Sequence, residues 1–381
     1  MQELSSKNFQ QPAEPPKKKK KDAKFIITLC SVALIAIIAV IILVDTTPSV
    51  TDTPEPKTQS KTFYEYFDTE CAVFSYLGDQ KAFSENAEFV RLELEKYHRL
   101  FDIYFSYAGV TNLNTLNKTA KNAPVVVSDE LFAFLVYAKE MYSLTNGKVN
   151  IAMGAVLSIW HDVREIIEED PSLAVLPTKE QLEEANLHTH IEDLILDAEN
   201  KTVYYADPKM KLDVGALAKG YACEKIAEKL MARGVTSYVL NFGGNMRAIG
   251  TKVNGNGWVT GIRNPFRNEN PFVLRMMLKD ASLVTSGDYQ RYFVYEGVKY
   301  HHIIDPETLY PTTYFTSVSI LTEDSALADA LSTAFFCMPR ESSLLVIEAL
   351  KKEGITVDVL WVGSSGEIFM TDGFSSTVVE E

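Results

Sequence analysis

The chain has 381 residues and a formal net charge of −14 at pH 7. This length is sufficient for one large domain, or for two lobes, around a substantial core. An acidic balance of this size argues against a general nucleic-acid binder, so we expect no nucleic-acid partner.

The N-terminal residues predict a membrane anchor. Residues 1–24 carry seven lysines and three acidic residues and form a basic tip ahead of an uncharged apolar run at 25–44. Such a run can span a bilayer as one helix, and the lysines before it place the N-terminus in the cytosol. No small-residue cleavage site follows it. We therefore expect an uncleaved, single-pass transmembrane signal anchor, a flexible stalk at 45–61 and an extracytoplasmic domain at 62–381, located at the cell membrane.

Three cysteines lie outside the apolar run, at positions 71, 223 and 337. An odd number without a CxxC pair predicts neither a disulfide framework nor a zinc site. Cys223 and Cys337 lie in helical apolar patterns. We interpret the thiols as buried and inert.

The 62–381 segment mixes amphipathic helices with strands that are mostly linked as hairpins. Helical spacing of apolar residues predicts the helices, and runs of β-branched and aromatic residues predict the strands. In chain order, we expect a strand at Glu70–Tyr76, a helix at Ala87–Phe101, a polar turn at Asn112–Asn117, a helix at Asp129–Leu144, a hairpin of Leu194–Leu196 and Thr202–Tyr205, a helix ending near Gly234, a strand pair within Ser237–Gly250, further strands between Gly257 and Pro306, a helix at Ala326–Phe336 and a final strand pair. This mixture predicts an α+β fold.

The start of the helix in KLDVGALAKGYACEKIAEKL, Lys211 to Leu230, has an unusual composition. Asp213, Gly215, Lys219 and Gly220 crowd it, where a helix that only packs would prefer alanine or leucine. Helix N-termini present unpaired N–H groups and a partial positive charge, and glycine permits close approach. The spacing matches neither GxxxxGK[ST] nor GxGxxG. An anion site and a tight turn with a solvated lysine are both open.

Two further features carry candidate chemistry. Asp329 and Thr333 are four residues apart, on one face of a helix that is otherwise apolar nearly all round. They suit a hard cation such as Mg²⁺, although Thr333 bonding back to a carbonyl and Asp329 capping a neighbouring element is the structural alternative. His302 ends a predicted strand before the Asp305-Pro306 turn. It is either a general base or a hydrogen-bonded structural residue.

Five motifs occur in a fixed order along the chain: LDVGALAKGYA, NFGGNMRAIG, VTSGDYQRY, HHIIDP and ADALSTA. In this combination they resemble the ApbE family, the FAD:protein FMN transferases. The resemblance runs from about Phe67 to the last strands. It implies an ApbE-like, two-lobed α+β domain of mostly antiparallel sheet with packed helices, preceded here by the transmembrane helix.

The resemblance also implies which residues form the site. Mg²⁺ would be bound by the backbone carbonyl of Ala216 and by the side chains of Asp329 and Thr333. FAD would be contacted by Phe67, Tyr104, Lys148, Val149, Asn150, Asp213, Lys219 and Ile303. His302 matches the histidine often proposed as the base.

The implied reaction is phosphoryl transfer. Mg²⁺ bridges the FAD pyrophosphate, while Lys219 and the helix N-terminus hold the departing AMP phosphate or its neighbour. His302 takes the proton from a Thr or Ser hydroxyl of an acceptor protein, FMN becomes linked to that protein, and AMP leaves. The implied acceptor carries a Ser/Thr-Gly-Ala-Ser/Thr motif and is a membrane redox subunit.

Three other functions were considered for the same residues. Attack by water would make the site an FAD pyrophosphatase that yields FMN and AMP. A membrane-tethered FAD-binding module is a second alternative. A flavin acceptor is the third, but its motif is missing: TSGD, at 285–288, lacks the alanine and the final hydroxyl residue.

Overall fold

A large antiparallel sheet organises the part of the chain that the structure describes. The structure is a computed structural model, and it describes residues 58–76, 79–170, 173, 175–266 and 270–379. The strands are β1 (Gln59–Phe63), β2 (Cys71–Ser75), β3 (Val125–Val126), β4 (Leu194–Asp197), β5 (Thr202–Tyr205), β6 (Ser237–Phe242), β7 (Asn245–Gly250), β8 (Trp258–Arg263), β9 (Phe272–Leu278), β10 (Ser282–Gly287), β11 (Tyr292–Tyr295), β12 (Val298–His301), β13 (Ser317–Thr322), β14 (Asp358–Val362) and β15 (Ile368–Met370). The helices are α1 (Gln80–Phe101), α2 (Leu113–Thr119), α3 (Asp129–Leu144), α4 (Gly154–Glu169), α5 (Lys179–Asn186), α6 (Ala218–Ala232), α7 (Ser325–Phe336), α8 (Arg340–Lys352) and α9 (Asp372–Ser375), with a 3-10 turn at Ile191–Asp193.

The large sheet has eight strands in the order β1-β2-β6-β7-β10-β13-β14-β15. Every neighbouring pair in it is antiparallel. Smaller sheets are formed by β3-β5-β4, by β8-β9 and by β11-β12. Helices packed beside antiparallel strands give the α+β architecture that the sequence predicts.

The two faces of the large sheet carry different cores. Successive residues of a strand point to opposite faces, so Tyr238 and Leu240 of β6 join the larger core while Val239 joins a smaller one. The larger core contains the buried sides of α1, α6 and α7. The smaller core lies against the β8-β9 hairpin and includes Trp258 and Met276. Because both faces are covered, β6 and β13 are buried along almost their whole length.

Helices α6 and α7 approach each other closely. The N–H of Gly220, in the first turn of α6, donates to Asp329 Oδ2 on α7 at 2.8 Å. A Cβ at residue 220 would lie 2.3 Å from Asp329 Cβ and 2.5 Å from the Ser325 carbonyl oxygen, so the approach requires glycine. Glu224 adds a second link, because it accepts the Ser325 N–H at 2.7 Å and pairs with Arg247 of β7 at 3.2 Å. The start of α6 is thereby fixed against α7 at two points.

The three cysteines of the described residues are free and buried, as predicted. Burial raises the pKa of each thiol, and that of Cys71 reaches about 12. These thiols therefore stay protonated near neutral pH and behave as small apolar side chains.

The predicted fold class is wrong in one part. It placed a transmembrane helix ahead of the domain, but no helix of the described ranges is long and apolar enough to cross a membrane. The apolar run at 25–44, the basic tip at 1–24 and most of the stalk at 45–61 lie outside the described residues. The described residues also group into a single unit, so the implied division into two lobes is not seen.

Local predictions were corrected at two places. Asn112–Asn117, predicted as a polar turn, contributes to α2: Asn112 caps the helix by accepting the Thr115 N–H, and Leu113 and Leu116 are fully buried one turn apart. The first strand begins at Gln59, inside the predicted stalk. Helices α4, α5, α8 and α9 were not predicted.

We expect Gly220→Ala to destabilise the protein by about 1–3 kcal/mol, the usual cost of overpacking. Alanine favours a helix by roughly 1 kcal/mol, but here its methyl group would force α6 and α7 apart. Urea unfolding measures the change. Gly215→Ala is the matched control, since its Cβ would meet only Asp213 Oδ1, at 3.3 Å. If both variants were as stable as the wild type, the close helix contact would be refuted.

Candidate functional site

Asp329 lies in the middle of α7 with only 4% of its surface exposed. By accepting the Gly220 N–H it caps the start of a neighbouring helix, which is the structural role left open by the sequence. Burial raises the pKa of Asp329, whereas the Lys219 charge and the Gly220 N–H favour the ionised form. An ionised carboxylate at this depth requires a cationic partner.

The backbone carbonyl of Ala216 lies just before the start of α6. Ala216 precedes Leu217, the N-cap residue, so its carbonyl stands outside the hydrogen bonds of the helix. The N–H of Gly220, four residues later, is one of the first-turn donors without a helical acceptor, and it donates to Asp329. No backbone N–H among the described residues donates to the Ala216 carbonyl. Ala216 therefore offers a free oxygen beside the Gly220–Asp329 contact.

Thr333 lies one turn after Asp329 on α7 and is half-buried. Its hydroxyl makes no hydrogen bond to any residue that the structure describes, so back-bonding to a helix carbonyl is not seen. A carboxylate, a hydroxyl and a carbonyl are the hard oxygen ligands that Mg²⁺ prefers. In the described ranges no three His, Cys, Asp or Glu side chains cluster to hold a metal, so a metal here depends on this mixed set. The residues fit the cation that the resemblance implies, and Ala216, Asp329 and Thr333 are referred to below as the metal corner.

Two residues near the metal corner were missed by the sequence analysis. Asn245, the first residue of β7, is 3% exposed, and its amide nitrogen is buried without a hydrogen bond of normal geometry to any described residue. It nevertheless lies close enough to Asp329 to favour the ionised carboxylate, against the burial that raises the pKa of that group. The hydroxyl of Tyr137 is also buried and unpartnered, and burial together with the charges of Asp324 and Asp329 raises its pKa. Their proximity to Asp329 depends on the packing of α3 and β7 beside α7, which the sequence alone does not show.

Phe67, a predicted flavin contact, lies in a turn with two left-handed residues. Phe67 and Asp68 have φ values of 55° and 49°, a conformation that side chains other than glycine rarely adopt. The Phe67 N–H donates to His98 Nδ1 at 3.3 Å, and the two rings meet edge to face with centroids 5.7 Å apart. These contacts hold a partly buried aromatic ring on a preformed turn.

Asp213 and Tyr104, both predicted to contact FAD, lie near each other. Asp213 Oδ1 accepts the Gly215 N–H at 2.9 Å, and Oδ2 is 3.9 Å from His161 Nε2. Tyr104 is 53% exposed, and partial burial with the charges of Asp213 and Asp68 raises its pKa. Tyr104 thus presents an accessible ring, suited to stacking on a planar ligand, beside the segment that leads into α6.

The predicted contacts at 148–150 are already engaged within the protein. Lys148 pairs with two carboxylates, one of them Asp305 at 3.0 Å. Burial opposes its charge, but these hydrogen bonds raise the pKa of Lys148. Val149 is 1% exposed, and the Asn150 side chain bonds to backbone groups. The turn therefore supports the segment that carries buried Ile303, and its contacts with FAD stay a prediction.

His302 has a defined tautomer. Its backbone N–H and its ring Nδ1 both lie 3.1 Å from the Arg291 carbonyl oxygen. A carbonyl only accepts, so Nδ1 carries the proton and Nε2 keeps a free lone pair. Crowding by protein atoms, with the charges of Arg291 and Lys219, lowers the pKa of His302 to about 3, although much of the side chain still reaches solvent. His302 is therefore a neutral acceptor near pH 7.

Lys219 connects the metal corner with His302. Its Nζ lies 3.4 Å from the Gly215 carbonyl oxygen. Burial raises the pKa values of Asp329 and Cys71, and the Lys219 charge opposes this effect; the same charge adds to the lowering of the His302 pKa that burial causes. Coulombic effects of this kind require proximity. The structure therefore brings Lys219, Asp329 and His302 into one region, as the resemblance implies.

Two cavities lie elsewhere. One of about 600 Å³ is lined by residues of β9 and the C-terminal segment, and one of about 750 Å³ lies beside α5. Neither is lined by a predicted site residue, so the chemistry of the side chains, rather than concavity, locates the site.

Comparison with known proteins agrees with the motifs. The sequence model of the ApbE family matches residues 67–357. The FAD:protein FMN transferase of Treponema pallidum is 37% identical over 264 residues, which cover 66% of this chain and 70% of the relative. That of Haemophilus influenzae is 30% identical over 248 residues, covering 64% of this chain and 70% of the relative.

Solved structures resemble the fold. The ApbE protein of Thermotoga maritima is 28% identical with a TM-score of 0.73, and the match covers 85% of this chain and 100% of that one. The flavin transferase ApbE of Vibrio cholerae is 23% identical with a TM-score of 0.68, covers 84% and 100%, and bears on the fold alone. The resemblance predicted from five ordered motifs is confirmed, because the family match spans most of the sequence: this chain belongs to the ApbE family.

Proposed function

We propose that this chain is a Mg²⁺-dependent FAD:protein FMN transferase, which moves FMN from FAD to a Ser or Thr hydroxyl of an extracytoplasmic acceptor and releases AMP. The observation that carries the proposal is the arrangement at the start of α6. There the Gly220 N–H donates to buried Asp329, the Ala216 carbonyl accepts no backbone N–H of the described residues, and Lys219 precedes Gly220 in the first turn of the helix. The Treponema pallidum and Haemophilus influenzae relatives are FAD:protein FMN transferases, which agrees with this activity.

The chain's own residues divide into two groups by charge. Asp329, Thr333 and the Ala216 carbonyl would hold Mg²⁺, which supplies neutralisation of charge on the pyrophosphate. On the cationic side, Lys219 offers its ammonium group. Its backbone N–H, in the first turn of α6, has no backbone acceptor among the described residues. A helix N-terminus with a free N–H and an adjacent ammonium is suited to hold the phosphate of the departing AMP.

His302 supplies the base. Nε2 accepts the proton of the acceptor hydroxyl while that oxygen bonds to the phosphorus of the FMN moiety. The bond from this phosphorus to the bridging oxygen breaks, and AMP leaves with that oxygen and its electron pair. A base with so low a pKa is weak in the free protein. Negative charge from bound FAD would raise it toward the range in which proton transfer is effective.

The acceptor is expected to be a membrane redox subunit with a Ser/Thr-Gly-Ala-Ser/Thr motif. Hydrolysis is the second candidate function, because much of the His302 side chain reaches solvent and water can take the place of the hydroxyl. Incubating the full chain with FAD, Mg²⁺ and such an acceptor tests both. Added FMN on the acceptor by mass spectrometry supports transfer, free FMN with AMP supports hydrolysis, and bound but intact FAD would refute both.

We expect Asp329→Asn to lose more activity than the roughly 10–100-fold that removal of an outer-shell metal partner costs. Asparagine keeps an oxygen for the Gly220 N–H but removes the only formal charge of the metal corner. AMP release is measured against Mg²⁺ concentration, with melting temperature recorded in parallel.

Asp324→Asn is the matched control for this variant. Asp324 caps the same helix by accepting the Ala326 and Leu327 N–H groups, and asparagine caps equally well. Its activity should match the wild type. If Asp329→Asn lowered the melting temperature but left the Mg²⁺ dependence unchanged, Asp329 would have only its structural role.

We expect His302 to stay unprotonated from pH 8 to pH 5 in the substrate-free protein. Its folded pKa of about 3 lies below the unfolded value of about 6.5, so the folded state binds fewer protons in between. Its contribution to stability is then complete above about pH 6.5 and is lost as the pH falls toward 3. NMR titration of the histidine ring protons measures this, with His302→Asn to assign the signal. A titration near pH 6.5 would contradict it.

A further inference from the structure

Arg291 joins two parts of the site that are far apart in the sequence. It lies between β10 and β11, and its Nη2 donates to the Asp68 carbonyl oxygen at 3.2 Å, across 223 residues. Its own carbonyl oxygen holds the backbone N–H and the ring Nδ1 of His302, each at 3.1 Å. One residue therefore contacts both the turn that carries Phe67 and the proposed base.

The guanidinium of Arg291 is exposed and has no carboxylate partner within the described residues. Two other arginines are paired: Arg91 with Glu88 at 2.8 Å, and Arg247 with Glu224 at 3.2 Å. Arg233 and Arg263 form no ion pair with a described carboxylate either, but they lie over aromatic rings. The bond of Arg291 to one backbone carbonyl leaves most of its five donors unused.

Lys219 also lacks a carboxylate partner. Its ammonium meets only the Gly215 carbonyl oxygen, at 3.4 Å, and it too forms no ion pair with a described carboxylate. Arg291 contacts His302 through its backbone carbonyl, and the charges of Arg291 and Lys219 both act on the His302 ring. Two unpaired cations that act on the same residue suit an anion with several charged oxygens.

We propose that Arg291 is a phosphate-binding residue of this site and grips the pyrophosphate of FAD together with Lys219. The planar fork of arginine matches two phosphate oxygens at once, which the point charge of lysine does not. The inference rests on the proposed function, because it assumes that FAD occupies the space beside His302. Arg291 belongs to the VTSGDYQRY motif, but the family resemblance supplied no role for it.

The alternative is that Arg291 only pins the Asp68 carbonyl and thereby the turn of Phe67. The two roles differ in what they predict for ligands with and without phosphate. A phosphate-binding residue affects FAD but not riboflavin. A residue that only shapes the flavin side affects both equally.

The test compares binding of FAD and of riboflavin to the full-length chain by calorimetry, in the wild type and in Arg291→Gln. Glutamine retains an N–H that can donate to the Asp68 carbonyl, but it has lost the charge. We expect FAD affinity to fall about 10- to 100-fold, the scale of a charged hydrogen bond, and riboflavin affinity to change less than about twofold. Arg291→Lys should give an intermediate loss for FAD alone.

Arg340→Gln is the matched control. Arg340 is a partly exposed arginine at the start of α8 that lies over the Phe369 ring of β15, and its loss should leave both affinities unchanged. Equal losses for FAD and riboflavin in Arg291→Gln, or no loss for either, would overturn the proposal. Unchanged riboflavin binding also shows that the variant is folded.

The same measurements separate this inference from the proposed function. If the wild type prefers FAD over riboflavin through Arg291 but neither transfers FMN nor releases AMP, the proposed function fails and Arg291 remains a phosphate ligand. If FMN transfer occurs while Arg291→Gln binds FAD as the wild type does, the Arg291 proposal alone fails.

Discussion

The hydrogen bond from the Gly220 N–H to Asp329 is the contact on which the rest of the site depends. It joins two helices across 109 residues of sequence, and it exists because residue 220 has no side chain to keep them apart. The Gly220 N–H thus orients the buried carboxylate at the helix start, just after the Ala216 carbonyl, which accepts no backbone N–H of the described residues. The Glu224–Ser325 bond holds the helix pair at a second point.

The electrostatics of the site follow from this packing. Asp329 is only 4% exposed, and an ionised carboxylate at this depth destabilises the fold unless a cation lies close to it. Burial raises the pKa of Asp329 for that reason. Lys219 offsets part of the charge from nearby, without forming an ion pair among the described residues. The negative charge of the metal corner is therefore not fully compensated, and the positive charges of Lys219 and Arg291 have no carboxylate partner among the described residues. A divalent cation bound to a pyrophosphate would compensate both.

Sequence patterns predicted the elements whose side chains repeat with a clear period. The helix at Asp129–Leu144 and the hairpin strand at Thr202–Tyr205 were predicted with the bounds that the structure has. The helix α2 was missed because its two asparagines and its N-cap Asn112 resemble a turn, whereas the burial of Leu113 and Leu116 decides the structure. Asp329 and Thr333 could be found from helical spacing. Arg291 and Asn245 could not, because the value of each depends on a partner that only the tertiary fold brings near.

The order of strands explains why the site forms between such distant segments. β7 pairs with β10 and β10 pairs with β13, so these three strands lie side by side in the sheet. Because β10 and β13 are antiparallel, the segment with Arg291 leaves β10 at the edge where β13 begins, whereas α7 starts near the opposite edge. Helix α7 then runs back along the sheet, and its Ser332 hydroxyl lies 2.8 Å from that of Ser286 near the end of β10. β2 pairs with β6 further along, which brings the turn before it, at Phe67–Asp68, within reach of Arg291. The helix that carries Asp329, the segment that carries Arg291 and the turn at Phe67–Asp68 thus come from three separate connections between strands, and none of them forms a site alone.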